Sequence, residues 1–245
     1  MTEVQRVTIN CDIGEGFAIY RPWDDAGIMP HIHIANVACG FHASDPVVMQ
    51  ETVLLAAKHN VPVGAHPSFP DKQGFGRRDM IMGREELAAC VRYQVGALKA
   101  FLDAEGLELN HIKPHGALFG AATRREEVAN AIADVALQYG VPVIGLPGSV
   151  GDRIYNARGV PFISEYYADN DYEAAASLIV TRDHGVRDPQ EVARRCVRMI
   201  KEGKAPTIDG VDFDVRAQTI CVHSDTPNVV DMTRALREAI SPWAA

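Results

Sequence analysis

Val7-Thr8-Ile9-Asn10-Cys11-Asp12-Ile13-Gly14-Glu15-Gly16 is a β-branched run that stops on two acids, Asp12 and Glu15. A dinucleotide-binding sheet would carry a Gly-x-Gly-x-x-Gly phosphate turn at this point, so that fold loses ground. Six further short apolar runs end in the same way. Residues 32–38 lead into Cys39-Gly40-Phe41-His42, residues 61–65 into His66-Pro67, and residues 109–112 into Lys113-Pro114-His115-Gly116. Residues 143–146 lead into Pro147-Gly148-Ser149, residues 162–164 into Glu165 and Asp169, and residues 220–222 into His223-Ser224-Asp225. Helical stretches alternate with these runs. They are expected at 47–59, 84–105, 124–139, 151–157, 191–201 and 229–240, several with Asp-Pro starts or glycine stops. Strict alternation predicts a parallel sheet, and seven strands favour a closed α/β barrel. In such a barrel all strand C-termini meet on one face, so residues scattered through the sequence share one site.

Composition agrees with a single domain over 1–245: 245 residues with 47% hydrophobic content suit one α/β barrel. The net charge is −8, and no basic patch interleaves with aromatics, which argues against nucleic acid as a partner. No apolar run is long enough to span a membrane, and the N-terminus carries no apolar leader. Cysteines 11, 39, 90, 196 and 221 are odd in number and lack CxxC spacing, so a reducing, cytoplasmic setting is expected. The segments 71–82 and 169–188 read as long loops at the functional face.

At these strand ends Asp12 and Glu15 suit a general base or magnesium ligands, or else a turn Asp and a solvated Glu. His42, His66, His115 and His223 each follow a different strand and suit proton transfer or metal binding. His31, His33, His59, His111 and His184 read as structural. Lys113, Arg77 and Arg78 can meet an anion, although the arginines could equally bridge the barrel rim. Ser149 begins a helix whose N–H groups could face an anion. Asp45 and Asp225 read first as helix caps before proline. Cys11 should point away from Asn10 and Asp12 by strand alternation. No Gly-x-Ser-x-Gly elbow is present, which disfavours a serine hydrolase.

Taken in order, the motifs resemble those of the LamB/YcsF family. They are Asn10-Cys11-Asp12-Ile13-Gly14-Glu15, Ala35-Asn36-Val37-Ala38-Cys39-Gly40-Phe41-His42, Gly64-Ala65-His66-Pro67, Pro70-Asp71 and Gly74-Phe75-Gly76-Arg77-Arg78. Lys113-Pro114-His115-Gly116-Ala117-Leu118, Gly148-Ser149, Ala168-Asp169 and Cys221-Val222-His223 with Asp225 complete the set. The resemblance implies an irregular seven-stranded parallel β/α (TIM-like) barrel related to polysaccharide deacetylases. It also implies the A subunit of an ATP-dependent 5-oxoprolinase, opening 5-oxo-L-proline to L-glutamate with Mg2+ and ATP in company with two further subunits, B and C. Asp12, Glu15, His42, His66, Lys113 and His115 are then the catalytic candidates. Asn36, Arg77, Arg78, Ser149, Asp169, His223 and Asp225 are the candidates for holding substrate or phosphate. On this reading Lys113→Met should cut turnover and leave the fold intact.

Two alternatives stay open. One is a metal-dependent, deacetylase-like hydrolase using a divalent ion on Asp12, His42 and His66. The other is a non-catalytic subunit that presents lactam to its partners. The sequence also leaves homodimerisation open. After the sixth strand the family pattern Phe-Ala-Asp-Arg, Tyr, Asp-Gly is replaced by Tyr167-Ala168-Asp169-Asn170, Tyr172 and Ala174-Ala175-Ala176, with the spacing to Arg182 one residue longer. The family's His-Gly-Asp is His223-Ser224-Asp225 here. Such changes imply a paralogue acting on a different cyclic amide, or one that has lost activity.

Overall fold

The computed structural model describes residues 6–173, 178–179 and 185–244. Seven parallel strands close into a barrel: β1 Thr8–Ile13, β2 Ile34–Ala38, β3 Val63–His66, β4 Leu109–Ile112, β5 Val143–Gly145, β6 Phe162–Tyr167 and β7 Thr219–His223. Each strand pairs with its sequence neighbours, and β1 pairs with both β2 and β7, which closes the ring. The register sets Asp12 level with Asn36 on one side and with His223 on the other. On β1, Ile9, Cys11 and Ile13 are fully buried in the apolar layer. Asn10 and Asp12, on the alternate face, point into the barrel. The interior is thus polar, where barrels of this class more often stack branched aliphatics.

Helices Pro46–His59, Arg84–Ala104, Glu126–Tyr139, Val150–Ala157, Pro189–Glu202 and Val229–Ile240 fall where the sequence pattern puts them, within two residues at each end. Asp45 does cap its helix, accepting from the N–H groups of Val47 at 2.9 Å and Val48 at 3.1 Å. The short helix Gly116–Ala122 was not expected, because Gly116 with φ +51° follows directly on the strand-end motif. The 169–188 loop is not structureless either: Asp171–Tyr172 pairs with Leu178–Ile179 as a small antiparallel hairpin. Ala174, Ala175, Ala176, Arg182 and His184 lie outside the described residues. All five cysteines are free thiols, and among the described residues no helix is long and apolar enough to cross a membrane.

One glycine is essential to the interior. A Cβ on Gly64 would sit 2.2 Å from the ring of His111, which is fully buried and bonded through Nε2 to Asn36 Oδ1 at 2.7 Å. A solvent-facing Gly→Ala change in a strand ordinarily stabilises through the unfolded chain. Here overpacking dominates, so Gly64→Ala should lower the Tm by roughly 3–10 °C. Thermal unfolding followed by circular dichroism checks the sign.

Candidate active site

The strand ends meet around Lys113. Its Nζ lies 3.0 Å from Asp12 Oδ1, 3.1 Å from Asn10 Oδ1, 3.0 Å from Cys221 Sγ and 3.1 Å from Glu165 Oε1. Lys113 is 1% exposed and Glu165 is fully buried, so this ion pair is shielded from water. Burial alone would lower the lysine pKa, but the fields of Asp12, Cys221 and Glu165 override it and hold the amine well above its usual range. Burial likewise works to raise Asp12, yet His66 and Lys113 hold that carboxyl well below the usual carboxylate range. Asn36 Nδ2 donates to Asp12 Oδ1 at 2.8 Å and to Asn10 Oδ1 at 2.8 Å. The Asp12 carboxylate is therefore ionised and fixed by one oxygen. Its other oxygen faces His66 Nε2 at 3.3 Å.

Lys113 is thus a buried organiser of carboxylates, with its three hydrogens already engaged. The expectation that it meets a phosphate directly, and that its loss spares the fold, does not agree with this packing.

Beside Asp12 stand three imidazoles and a second carboxylate. A backbone carbonyl can only accept, so His66 Nδ1–H donates to Lys113 O at 2.7 Å and His115 Nε2–H donates to Phe75 O at 2.8 Å. The free nitrogens of these two rings face each other at 3.0 Å. Glu15 Oε1 lies 3.4 Å from His115 Nδ1 and 2.9 Å from His42 Nε2, while Ser224 Oγ donates to Glu15 Oε2 at 3.3 Å. His42 stacks on His115 with ring centroids 3.8 Å apart. Burial raises the Glu15 pKa, and burial lowers those of His42 and His115. The loop that carries Phe75 reaches the cluster only because residue 76 is glycine. Its φ is +64°, and a Cβ there would meet His115 Cδ2 at 2.8 Å and His42 Cβ at 2.9 Å.

The far wall of the cleft carries two cations, each paired with a carboxylate. His223 Nδ1 donates to Asp169 Oδ1 at 2.9 Å, and the His223 backbone N–H donates to Asp169 Oδ2 at 2.8 Å. Burial would lower the His223 pKa, but Asp169 and then Cys221 raise it well above the ordinary value. Because the folded pKa is raised, this pair contributes stability that is fully present below the usual imidazole pKa of about 6.5. That contribution is lost as pH rises through the folded value. Asp169→Asn should therefore move the His223 titration, followed by NMR of its ring protons, toward lower pH; an unmoved midpoint would remove Asp169 as the cause.

Arg77 Nη2 donates to Asp225 Oδ2 at 2.7 Å, and both side chains are largely buried. Asp225 is accordingly no helix cap: its helix starts at Val229, with Asn228 in the cap position. Asp12, His66, Lys113, His115, Arg77 and His223 line one cleft, together with Asn170 and Leu178 of the sixth-strand loop. The segment in which this chain departs from the family pattern thus forms part of the cleft wall.

Two expected residues stand apart. Arg78 donates from Nε to Asp71 Oδ1 at 2.9 Å and clasps the 71–78 loop, away from the cleft lining. Ser149 Oγ accepts from Asp152 N at 3.1 Å, and Asp152 Oδ2 accepts from Gly148 N at 2.8 Å. The N–H groups of Gly148, Val150 and Asp152 at this helix start are thus already taken. Conversely, Asn10, Tyr167 and Cys221 belong to the network without a site role expected of them, and Glu165, noted only at its strand end, joins them. Their signal is strand alternation: Asn10 shares its face with Asp12, and Cys221 shares its face with His223.

Comparison with known proteins follows the same lines. The LamB/YcsF family profile matches residues 7–243. A lactam utilization protein, lamB, of Emericella nidulans is 41% identical over 246 residues, covering 98% of this chain and 96% of its own. The A subunit of a 5-oxoprolinase from Thermus thermophilus is 44% identical over 239 residues, 96% of each. The crystal structure of a lactam utilization protein, also from Thermus thermophilus, superposes with a TM-score of 0.90 at 42% identity, covering 97% of this chain and 96% of that one.

Proposed function

The chain belongs to the LamB/YcsF family, and on that premise we propose that its barrel mouth opens the lactam of 5-oxo-L-proline to L-glutamate, as the A subunit of an ATP-dependent 5-oxoprolinase. The observation that carries this reading is the division of one cleft into two chemistries. On one wall an ionised Asp12 stands beside His66, His115 and Glu15. On the other stand the cations Arg77 and His223. A substrate with a carboxylate at one end and a cyclic amide at the other spans both.

Arg77 and His223 take the substrate carboxylate, or the charge of a phosphorylated lactam oxygen. Asp12 accepts the proton of the attacking water. The ring C–N bond breaks to leave an acyl phosphate, the departing nitrogen takes the proton that Asp12 received, and a second water releases inorganic phosphate to give glutamate. A five-membered lactam is a stable amide with a poor leaving group. Phosphorylation of its oxygen by ATP and Mg2+ supplies the missing driving force. The first β–α turn offers acids in place of a phosphate-cradling glycine turn, so ATP chemistry is assigned to the assembly with subunits B and C. The cytoplasm, where ATP is available, is the proposed setting.

The test is release of glutamate, ADP and inorganic phosphate from 5-oxoproline and ATP, for this chain alone and with its two partner subunits. Glutamate formed only in the assembly is the expected result. No glutamate in either case, with the partners shown active when combined with an established relative of this chain, overturns the choice of lactam.

A further inference from the structure

We propose that Glu15, His66 and His115 form a binding site for one divalent transition-metal ion, with His42 supporting Glu15 from outside the ligand set. His66 spends its Nδ1–H on the Lys113 carbonyl, and His115 spends its Nε2–H on the Phe75 carbonyl. The two remaining nitrogens direct their lone pairs at one point, 3.0 Å apart. Two lone pairs at that distance repel unless something positive lies between or beside them. Glu15 Oε1, another lone-pair atom, adds to the same point at 3.4 Å from His115 Nδ1. The donor atoms of Glu15, His42, His66 and His115 all lie within 4.8 Å of one another, and all four residues are buried.

The spacing suits a metal. With metal–nitrogen and metal–oxygen bonds of about 2.0–2.2 Å, neighbouring ligand atoms sit roughly 3.0–3.5 Å apart. The 3.0 and 3.4 Å separations fall in that range. The carbonyl bonds at the far nitrogens are the outer support that ligating histidines ordinarily have. Two imidazoles with one carboxylate favour zinc or a similar ion over magnesium, which prefers oxygen alone.

His42 is excluded from direct ligation by its orientation. Its ring lies parallel to His115, with 6° between the planes. One ion cannot lie in both ring planes, as ligation through in-plane lone pairs requires. His42 Nε2–H instead donates to Glu15 Oε1 at 2.9 Å and aims that carboxylate. Three protein ligands leave a position open toward the cleft, the pattern of catalytic rather than structural zinc sites. This ligand set differs from Asp12, His42 and His66, the trio that sequence position suggests: Asp12 groups with Cys221 and His223 rather than with Glu15, His66 and His115.

Metal binding is measured without substrate, so it stands or falls separately from the lactam reading. Full-length protein, stripped with chelator, is titrated with zinc by calorimetry, and the loaded protein is examined by zinc-edge X-ray absorption. One equivalent bound with Kd below about 1 µM and two imidazoles in the absorption fit are expected. His66→Gln and His115→Gln should each weaken binding at least 100-fold, and His42→Gln about tenfold. Arg153→Ala, which removes an exposed side chain bonded to Glu126 on an outer helix, should bind as wild type. Absence of saturable zinc binding by the wild-type chain overturns the site and leaves a proton shared between His66 and His115. Wild-type affinity in a folded His115→Gln variant overturns it equally.

Discussion

Lys113→Met is expected to destabilise the protein by about 3–5 kcal/mol, the scale on which breaking a buried ion pair leaves a charge without its partner. Met matches lysine in length and fills its volume, so packing changes little. What changes is charge. Asp12 and Glu165, 5% and 0% exposed, lose their shared cation within the barrel interior. A typical domain has only about 5–15 kcal/mol to lose, so the variant should denature at much lower urea concentration than wild type. The loss should shrink as pH falls, because an unpaired buried carboxyl can take up a proton and become neutral. A cost below about 1 kcal/mol, with no such pH dependence, would show that the pair is solvated and that this account of the interior is wrong.

That expectation reverses the one formed from the sequence, and the reason lies in the sixth strand. Its apolar run ends at Ser164, but the strand continues through Tyr167. The extension carries Glu165 inward beneath Lys113, and Tyr167 brings its ring to the cleft. Periodicity could not reveal this, since Glu165-Tyr166-Tyr167 reads as the start of a polar loop. The barrel itself was legible because every other strand end coincides with a break in the apolar pattern. The four cleft-side histidines were legible as a group for the same reason. Asp225 was misread because Asp-Thr-Pro carries a strong capping signal, whereas its true partner, Arg77, is 148 positions away in sequence. Long-range ion pairs leave no local signature. The same holds for His111, whose place beneath Asn36 depends on the missing side chain of Gly64.

Asp12→Asn should have the opposite character: a fold close to wild type with activity lowered roughly 10²–10⁴-fold, the range attributable to a general base. The asymmetry follows from the charges. Removing the lysine strands two carboxylates, whereas neutralising Asp12 leaves Lys113 and Glu165 as a balanced pair at 3.1 Å. The amide oxygen of Asn can accept the same bonds from Lys113 Nζ and Asn36 Nδ2 that Asp12 Oδ1 accepts. Its amide nitrogen then faces His66 Nε2 and can donate where the carboxylate could only accept. Geometry is preserved and the proton acceptor is gone. The measurement is glutamate release by the complete assembly at saturating 5-oxoproline, beside urea denaturation of the same preparation. Activity above about a tenth of wild type would move the base elsewhere in the cluster. A stability loss matching that of Lys113→Met would instead show that Asp12 serves the fold through its charge, since the two substitutions share a network but differ in how many buried charges they leave without a partner.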